Sequence, residues 1–312
     1  MVKRLLRVVS SRWIHSHNSM RRKQSFYSPR KFVLTVVGAT LLLISVNGVG
    51  LWLAQEKKKQ AQSEAQTAQA KLTPKEVSIQ KTFEYLTHNI SQFSDSEKLF
   101  IHYLHRRFNL EVHLPKDKIG SIQRNLQSPQ EIDFMYRIVD PNDIVVQPFS
   151  KELVDANKIT RINLYSSNCD VKKLPSDFWP SMKAQADKGG FEMTHVALAL
   201  VFIRDNECSH PPEFESIKDQ VLLGMRDLAM DPATMADLRY EAIAFLYLHG
   251  REDLVQEQWI DSIIKDQLPE GGWAERVGDK KPLSHTTTLA LWCLLESSNP
   301  DKPYEPLIRR PG

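Results

Sequence analysis

The chain has 312 residues, with 41 Lys and Arg against 38 Asp and Glu, and is 41% hydrophobic and 25% charged. These proportions exclude a collagenous chain, a polytopic membrane protein and a wholly disordered one. The net charge of +3 is unevenly spread: nine basic residues and no acidic one lie in positions 1–55, which leaves residues 56–312 with a net charge of −6. A mildly acidic body lacks the basic surface that a phosphate backbone requires, so no nucleic-acid partner is expected.

In chain order, residues 1–31 form a basic N-terminus, expected on the cytoplasmic side. Residues 32–54 (FVLTVVGATLLLISVNGVGLWLA) carry no formal charge over 23 positions. At 1.5 Å rise per residue such a helix crosses a hydrocarbon core of about 30 Å. An uncleaved single-pass anchor in the lipid bilayer is expected rather than a secretory signal peptide, because the flank Gln55-Glu56-Lys57-Lys58-Lys59 offers no small-residue cleavage site. The basic cluster before the span outweighs Lys57, Lys58 and Lys59 after it. The positive-inside rule therefore places the C-terminal part on the non-cytoplasmic side, whether periplasmic, lumenal or extracellular. The Arg-rich, acid-free N-terminus also fits a mitochondrial import sequence, with the inner membrane as the alternative location.

Residues 55–73 are low-complexity and rich in Gln, Ala, Lys and Glu. These are helix formers with no apolar stripe to pack, which suits a helical stalk or linker. Thr73 and Pro74 then read as an N-cap followed by proline in the first turn, opening a domain over residues 74–312. Apolar residues recur at helical spacing through 77–90 and 99–108, and again after a capping box at Ser128-Pro129-Gln130-Glu131. Further helices are predicted over 196–203, 214–230, 235–248, 254–264 and 287–295. Residues 143–149 and 160–165 are the two stretches that read as extended. The fold class is all-α, with roughly nine to eleven helices. The run His102-Tyr103-Leu104-His105-Arg106-Arg107 reads as a solvated basic helix face.

A partial internal echo stands out. Lys188-Gly189-Gly190-Phe191-Glu192-Met193-Thr194-His195 leads into an apolar helix, and Glu270-Gly271-Gly272-Trp273 leads through a loop to Ser284-His285-Thr286-Thr287-Thr288 and another. Paired glycines permit a tight turn, the aromatic can pack over it, and the Ser or Thr can cap the next helix. Over residues 250–296, and more weakly 188–203, the chain resembles the α/α-toroid superfamily, the helical barrel of terpenoid cyclases, protein prenyltransferase β subunits and several polysaccharide lyases. The resemblance implies a ring of helical hairpins. The family chemistry does not carry over, since no D-x-D-D cluster is present and Asp205-Asn206-Glu207-Cys208 has the wrong spacing for the prenyltransferase zinc pair.

Within such a ring His195 and His285 occupy matching places at one mouth, as acid/base or ligand-binding groups or as imidazoles that satisfy the local backbone. Tyr240, Glu241 and Trp273 are the neighbours this geometry implies, Trp273 as a ligand contact. Cys169 and Cys208 lie in polar contexts and can pair in an oxidising compartment, whereas Cys293 reads as a small buried hydrophobe. Asn89-Ile90-Ser91 is a formal glycosylation tripeptide. Cys208-Ser209-His210 lacks a second ligand pair, so no metal is expected, and no motif calls for a cofactor. The functional expectation is a membrane-anchored binding or scaffolding domain for a protein, glycan or lipid-linked partner. The alternative is an enzyme of the α/α-toroid type that acts through His195 and His285 on a polysaccharide or lipid-linked substrate.

Overall fold

The computed structural model describes residues 54–60, 72–120, 122, 131–143 and 158–310. The chain divides into two units, residues 1–71 and 72–312. Of the first, residues 54–60 are helical and exposed. Residues 32–53 and 61–71 lie outside the described part, so the predicted span and most of the stalk do too. Among the described residues no helix is long and apolar enough to cross a membrane.

The second unit is all-α, with no strand among its described residues. Its helices are α1 (Pro74–Asn89), α2 (Asp95–Phe108), the short α3 (Lys116–Ile119), α4 (Lys158–Ser166), α5 (Phe178–Ala186), α6 (Gly190–Asp205), α7 (Glu213–Met230), α8 (Ala236–Leu248), α9 (Glu257–Lys265) and α10 (Ser284–Ser297). Thr73 opens α1 as predicted, through a reciprocal capping box with Glu76. Two readings are corrected. Residues 160–165 belong to helix α4, where Ile162 and Leu164 are buried against α6 rather than extended. The stretch Glu131–Ile138 is a 3-10 helix, and its expected capping box at 128–130 falls outside the described residues, as do residues 144–149. Helix α5 carries a weak apolar pattern, and no helix is predicted there from the sequence.

Helices α6, α8 and α10 are apolar nearly all round, the pattern of helices enclosed on every side. They form an inner row in which α4 packs on α6, α6 on α8, α8 on α10 and α10 on α2. The 3-10 stretch Glu131–Ile138 touches both α2 and α4, so the succession returns on itself. Helices α1, α5, α7 and α9 lie outside this row; α9, for example, turns Trp259, Ile260 and Ile263 inward. Aromatic rings fill the interior: Trp292 meets Phe100, Tyr103 and Phe245, and Phe134 packs edge-on against Phe202.

The inner helices run parallel, because their C-terminal ends are tied to one another. Arg107 at the end of α2 makes two 2.7 Å hydrogen bonds to Glu296 at the end of α10, both side chains being buried. Arg204 of α6 donates to the carbonyl of Leu248 on α8, and Asn206 donates to that of Ser166 on α4. Arg137 carries the 3-10 stretch onto the end of α4 through Asp170 and the Ser167 carbonyl. Residues 303–308 lie across this end of the ring. Arg106 donates to the carbonyls of Pro306 and Leu307, Asp205 accepts from the Leu307 N–H, and Leu307 and Ile308 are fully buried. The expected solvated basic face is thus corrected: Arg106 and Arg107 point into the structure and hold its C-terminal segment.

A disulfide joins Cys169 to Cys208, linking the loops after α4 and α6, and Cys293 is free and buried. With its ends 39 positions apart in the chain, its loss through Cys208→Ser should lower stability by about 2–4 kcal/mol in urea titrations of the full chain. Replacing Arg107 by Met strands a buried carboxylate and should cost about 3–5 kcal/mol. The double variant Arg107→Met/Glu296→Leu should recover most of that loss in the same measurement, because the unpaired charge is gone.

Candidate functional site

The opposite end of the ring, where the inner helices begin, is built differently. Gly189 and Gly190 take positive φ values of 70° and 57° and turn the chain into α6. In the second copy of the echo only Gly271 does so, at 100°, and a side chain there would meet the Lys81 carbonyl of α1 at 2.4 Å. The expected capping role is not found: Gly189 and Leu283 occupy the N-cap positions of α6 and α10, without a side-chain cap. The threonines are used elsewhere. Thr287 accepts the Trp273 N–H at 3.0 Å, and Thr194 lies a full turn inside α6.

Because the inner helices are parallel, their first turns meet at this mouth. Nδ1 of His285, the second residue of α10, lies 2.9 Å from Asp237 near the start of α8. Thr286 donates to the same carboxylate at 2.6 Å. Thr194 of α6 donates to Glu241 of α8 at 3.1 Å. Burial disfavours a charged imidazole, but the hydrogen bond from Nδ1 to Asp237 and the charges of Glu241, Asp237 and Glu97 outweigh it, lifting the pKa of His285 to about 9. Asp237 responds in the opposite sense. Burial pushes its pKa up, yet the bond and charge of His285 and the hydroxyl of Thr286 hold it below the usual carboxylate range. At neutral pH His285 is therefore an imidazolium, with Nδ1–H directed at Asp237 and no hydrogen bond from Nε2–H.

Of the residues expected at this mouth, the structure brings together His285 and Glu241. His195 stands apart: its Nδ1 bonds the Phe191 carbonyl of its own helix, and its ring rests on Phe191 at 4.0 Å. Tyr240 faces away, donating to Asp266 at 3.1 Å at the end of α9, with burial and that carboxylate raising its pKa. Trp273 is 0% exposed and its indole N–H donates to the Ile263 carbonyl, so it packs the turn and offers no face to a ligand. Asp237 and Glu97 are additions that the sequence pattern does not single out. Both sit in first turns of helices, where acidic residues are commonplace because they complement the helix dipole.

Four apolar side chains stand exposed on the segments bordering these first turns: Phe191 (54%), Met235 (38%), Leu283 (39%) and Val277 (62%). The loop bearing Val277 is held against α8 by the Asp237 N–H, which donates to the Glu275 carbonyl. A cleft of about 760 Å³ opens beside Leu283, between the C-terminal half of α1 and residues 281–284. Among the described residues no group of three or more His, Cys, Asp or Glu is arranged to hold a metal ion. Comparisons of the chain with protein-family models, with curated proteins and with solved structures find no match.

The raised pKa of His285 has a defined consequence. The stability contributed by its pairing is fully present below the unfolded-state value of about 6.5 and is lost as pH rises through about 9. A ¹H–¹⁵N titration should place the His285 midpoint near 9. In Asp237→Asn it should fall toward about 6.5. An unchanged midpoint would mean that the two side chains do not pair in solution.

Proposed function

We propose that the chain is a single-pass, membrane-anchored protein presenting an α/α-toroid-like binding domain on the non-cytoplasmic side, with the first turns of the inner helices as the binding face. The observation that carries this reading is the contrast between the two ends of the ring. One end is covered by residues 303–308 and cross-braced by buried arginines. The other exposes Phe191, Met235, Val277 and Leu283 around a buried polar cluster. Val139, Val171 and Tyr304 are exposed at the braced end as well, so the mouth is distinguished by the polar cluster its apolar rim surrounds, an arrangement that favours association with a partner. The parallel inner helices with others outside them favour the toroid reading over a simple bundle.

The location rests on residues 32–54 and on the disulfide between Cys169 and Cys208, which belongs in an oxidising compartment. An enzyme is the second reading. His285, oriented by Asp237 and with Nε2–H unbonded, has the form of a general acid, and the substrate is then a polysaccharide or a lipid-linked molecule. His195 is no longer its partner in this reading, because it bonds within its own helix.

Protease treatment of intact cells or spheroplasts carrying a C-terminally tagged full chain tests the topology. The tag should be digested while a cytosolic control survives; protection until lysis would refute the non-cytoplasmic placement, and organelle fractionation would then test the mitochondrial inner membrane. Incubating the full chain with cell-surface polysaccharides separates binder from enzyme. Retention without release of fragments supports the binding domain, and fragment release abolished by His285→Ala supports the enzyme.

A further inference from the structure

The chemistry of the mouth narrows the class of ligand. Glu241 is only 4% exposed, yet its hydrogen bond comes from Thr194 to Oε2 alone, and none reaches Oε1. Nε2–H of His285 is likewise without an acceptor. An acceptor in the second turn of α8 and a donor in the first turn of α10 therefore lack protein partners at the centre of an apolar rim. Neither atom is sealed from solvent, so both are open to a ligand.

The charge balance indicates what that ligand carries. Asp237, Glu241 and Glu97 all act on His285, so three acidic groups face one cation. The adjoining cleft adds Glu84 and Glu270 against Lys281. In the loop that carries Val277, Glu275 and Asp279 balance Arg276 and Lys280. The face as a whole thus has an acidic excess ringed by Phe, Met, Val and Leu side chains.

We propose that this mouth docks a segment of a partner protein in which a lysine or arginine is flanked by apolar residues. The cationic side chain meets Glu241, a backbone carbonyl of the same segment accepts from His285, and the flanking residues cover Phe191, Met235 and Leu283. A glycan could use the same donor and acceptor, but it would leave the acidic excess uncompensated and gain less from aliphatic Met, Val and Leu. This inference rests on the binding reading of the mouth given above.

The test selects a phage-displayed random-peptide library against the full chain in lipid nanodiscs, with empty nanodiscs as counter-selection. Recovered peptides are then measured by fluorescence anisotropy, alongside a labelled neutral oligosaccharide. The selected peptides should carry Lys or Arg among apolar residues and lose about tenfold or more in affinity against Phe191→Ser/Leu283→Ser and against Glu241→Gln. Phe191 and Leu283 are exposed, so that pair leaves the core untouched, and Leu223→Ser/Met230→Ser on the exposed side of α7 should leave affinity unchanged. Failure to enrich any peptide, acidic or uncharged consensus sequences, or equal binding to the mouth variants would each overturn the proposal. If the oligosaccharide binds and Phe191→Ser/Leu283→Ser abolishes that binding, the mouth remains a binding face and only the cationic segment is refuted. If neither probe responds to the mouth variants, the binding reading falls with it.

Discussion

Four buried or half-buried arginines brace the inner helices at one end of the ring. Arg107, Arg137 and Arg204 each tie the end of one inner element to its neighbour, and Arg106 fastens the closing 3-10 stretch and the C-terminal segment to α2. Arginine suits this task because its planar fork serves two acceptors at once and keeps its charge when enclosed. Helix ends leave carbonyls without internal partners, and these guanidinium groups supply the missing donors. The bonds therefore satisfy the backbone and fix the order of the helices together. The apolar walls of α6, α8 and α10 supply the driving force for burial but little to say which neighbour goes where. Directional bonds at the ends provide that information.

The two ends of the domain then follow from a single geometric fact, that the inner helices are parallel. All their unpaired carbonyls collect at one end and all their unpaired N–H groups at the other. Cations and a crossing chain segment gather at the first, acidic side chains at the second. In this light Asp237, Glu97 and Glu241 accompany a field that the fold already creates. His285 is the unusual member of the group, a cation at the positive end of its own helix. It is tolerated because three acidic side chains on α2 and α8 surround it with the opposite charge.

The helical class and most helix positions are legible in the sequence, because periodic apolar runs such as 196–203 and 289–295 survive any tertiary context. The pairing of Cys169 with Cys208 follows from their polar surroundings and from the apolar helix around Cys293. Three things are not legible. Arg106 and Arg107 look like surface residues because local spacing does not show that a segment two hundred residues away will cover them. Helix α4 reads as extended because β-branched Ile159, Thr160 and Ile162 suit either state until packing on α6 decides. The matched look of His195 and His285 hides different environments: one imidazole bonds its own turn, and the other reaches a neighbouring helix whose proximity only the folded ring creates.

The Lys75 ammonium donates to the Ser297 carbonyl at 3.2 Å, so the domain begins beside the last turn of α10 and against the arginine-braced end. The chain therefore enters this unit at the end where its C-terminal segment also lies. The 14 residues of α10 separate that point from His285 by roughly 20 Å. Any pull on the residues that precede Pro74 is received where buried ion pairs and the nearby disulfide brace the fold. The apolar-rimmed end lies a helix length away from that point, so the surface it presents is separated from the place where the chain enters the domain.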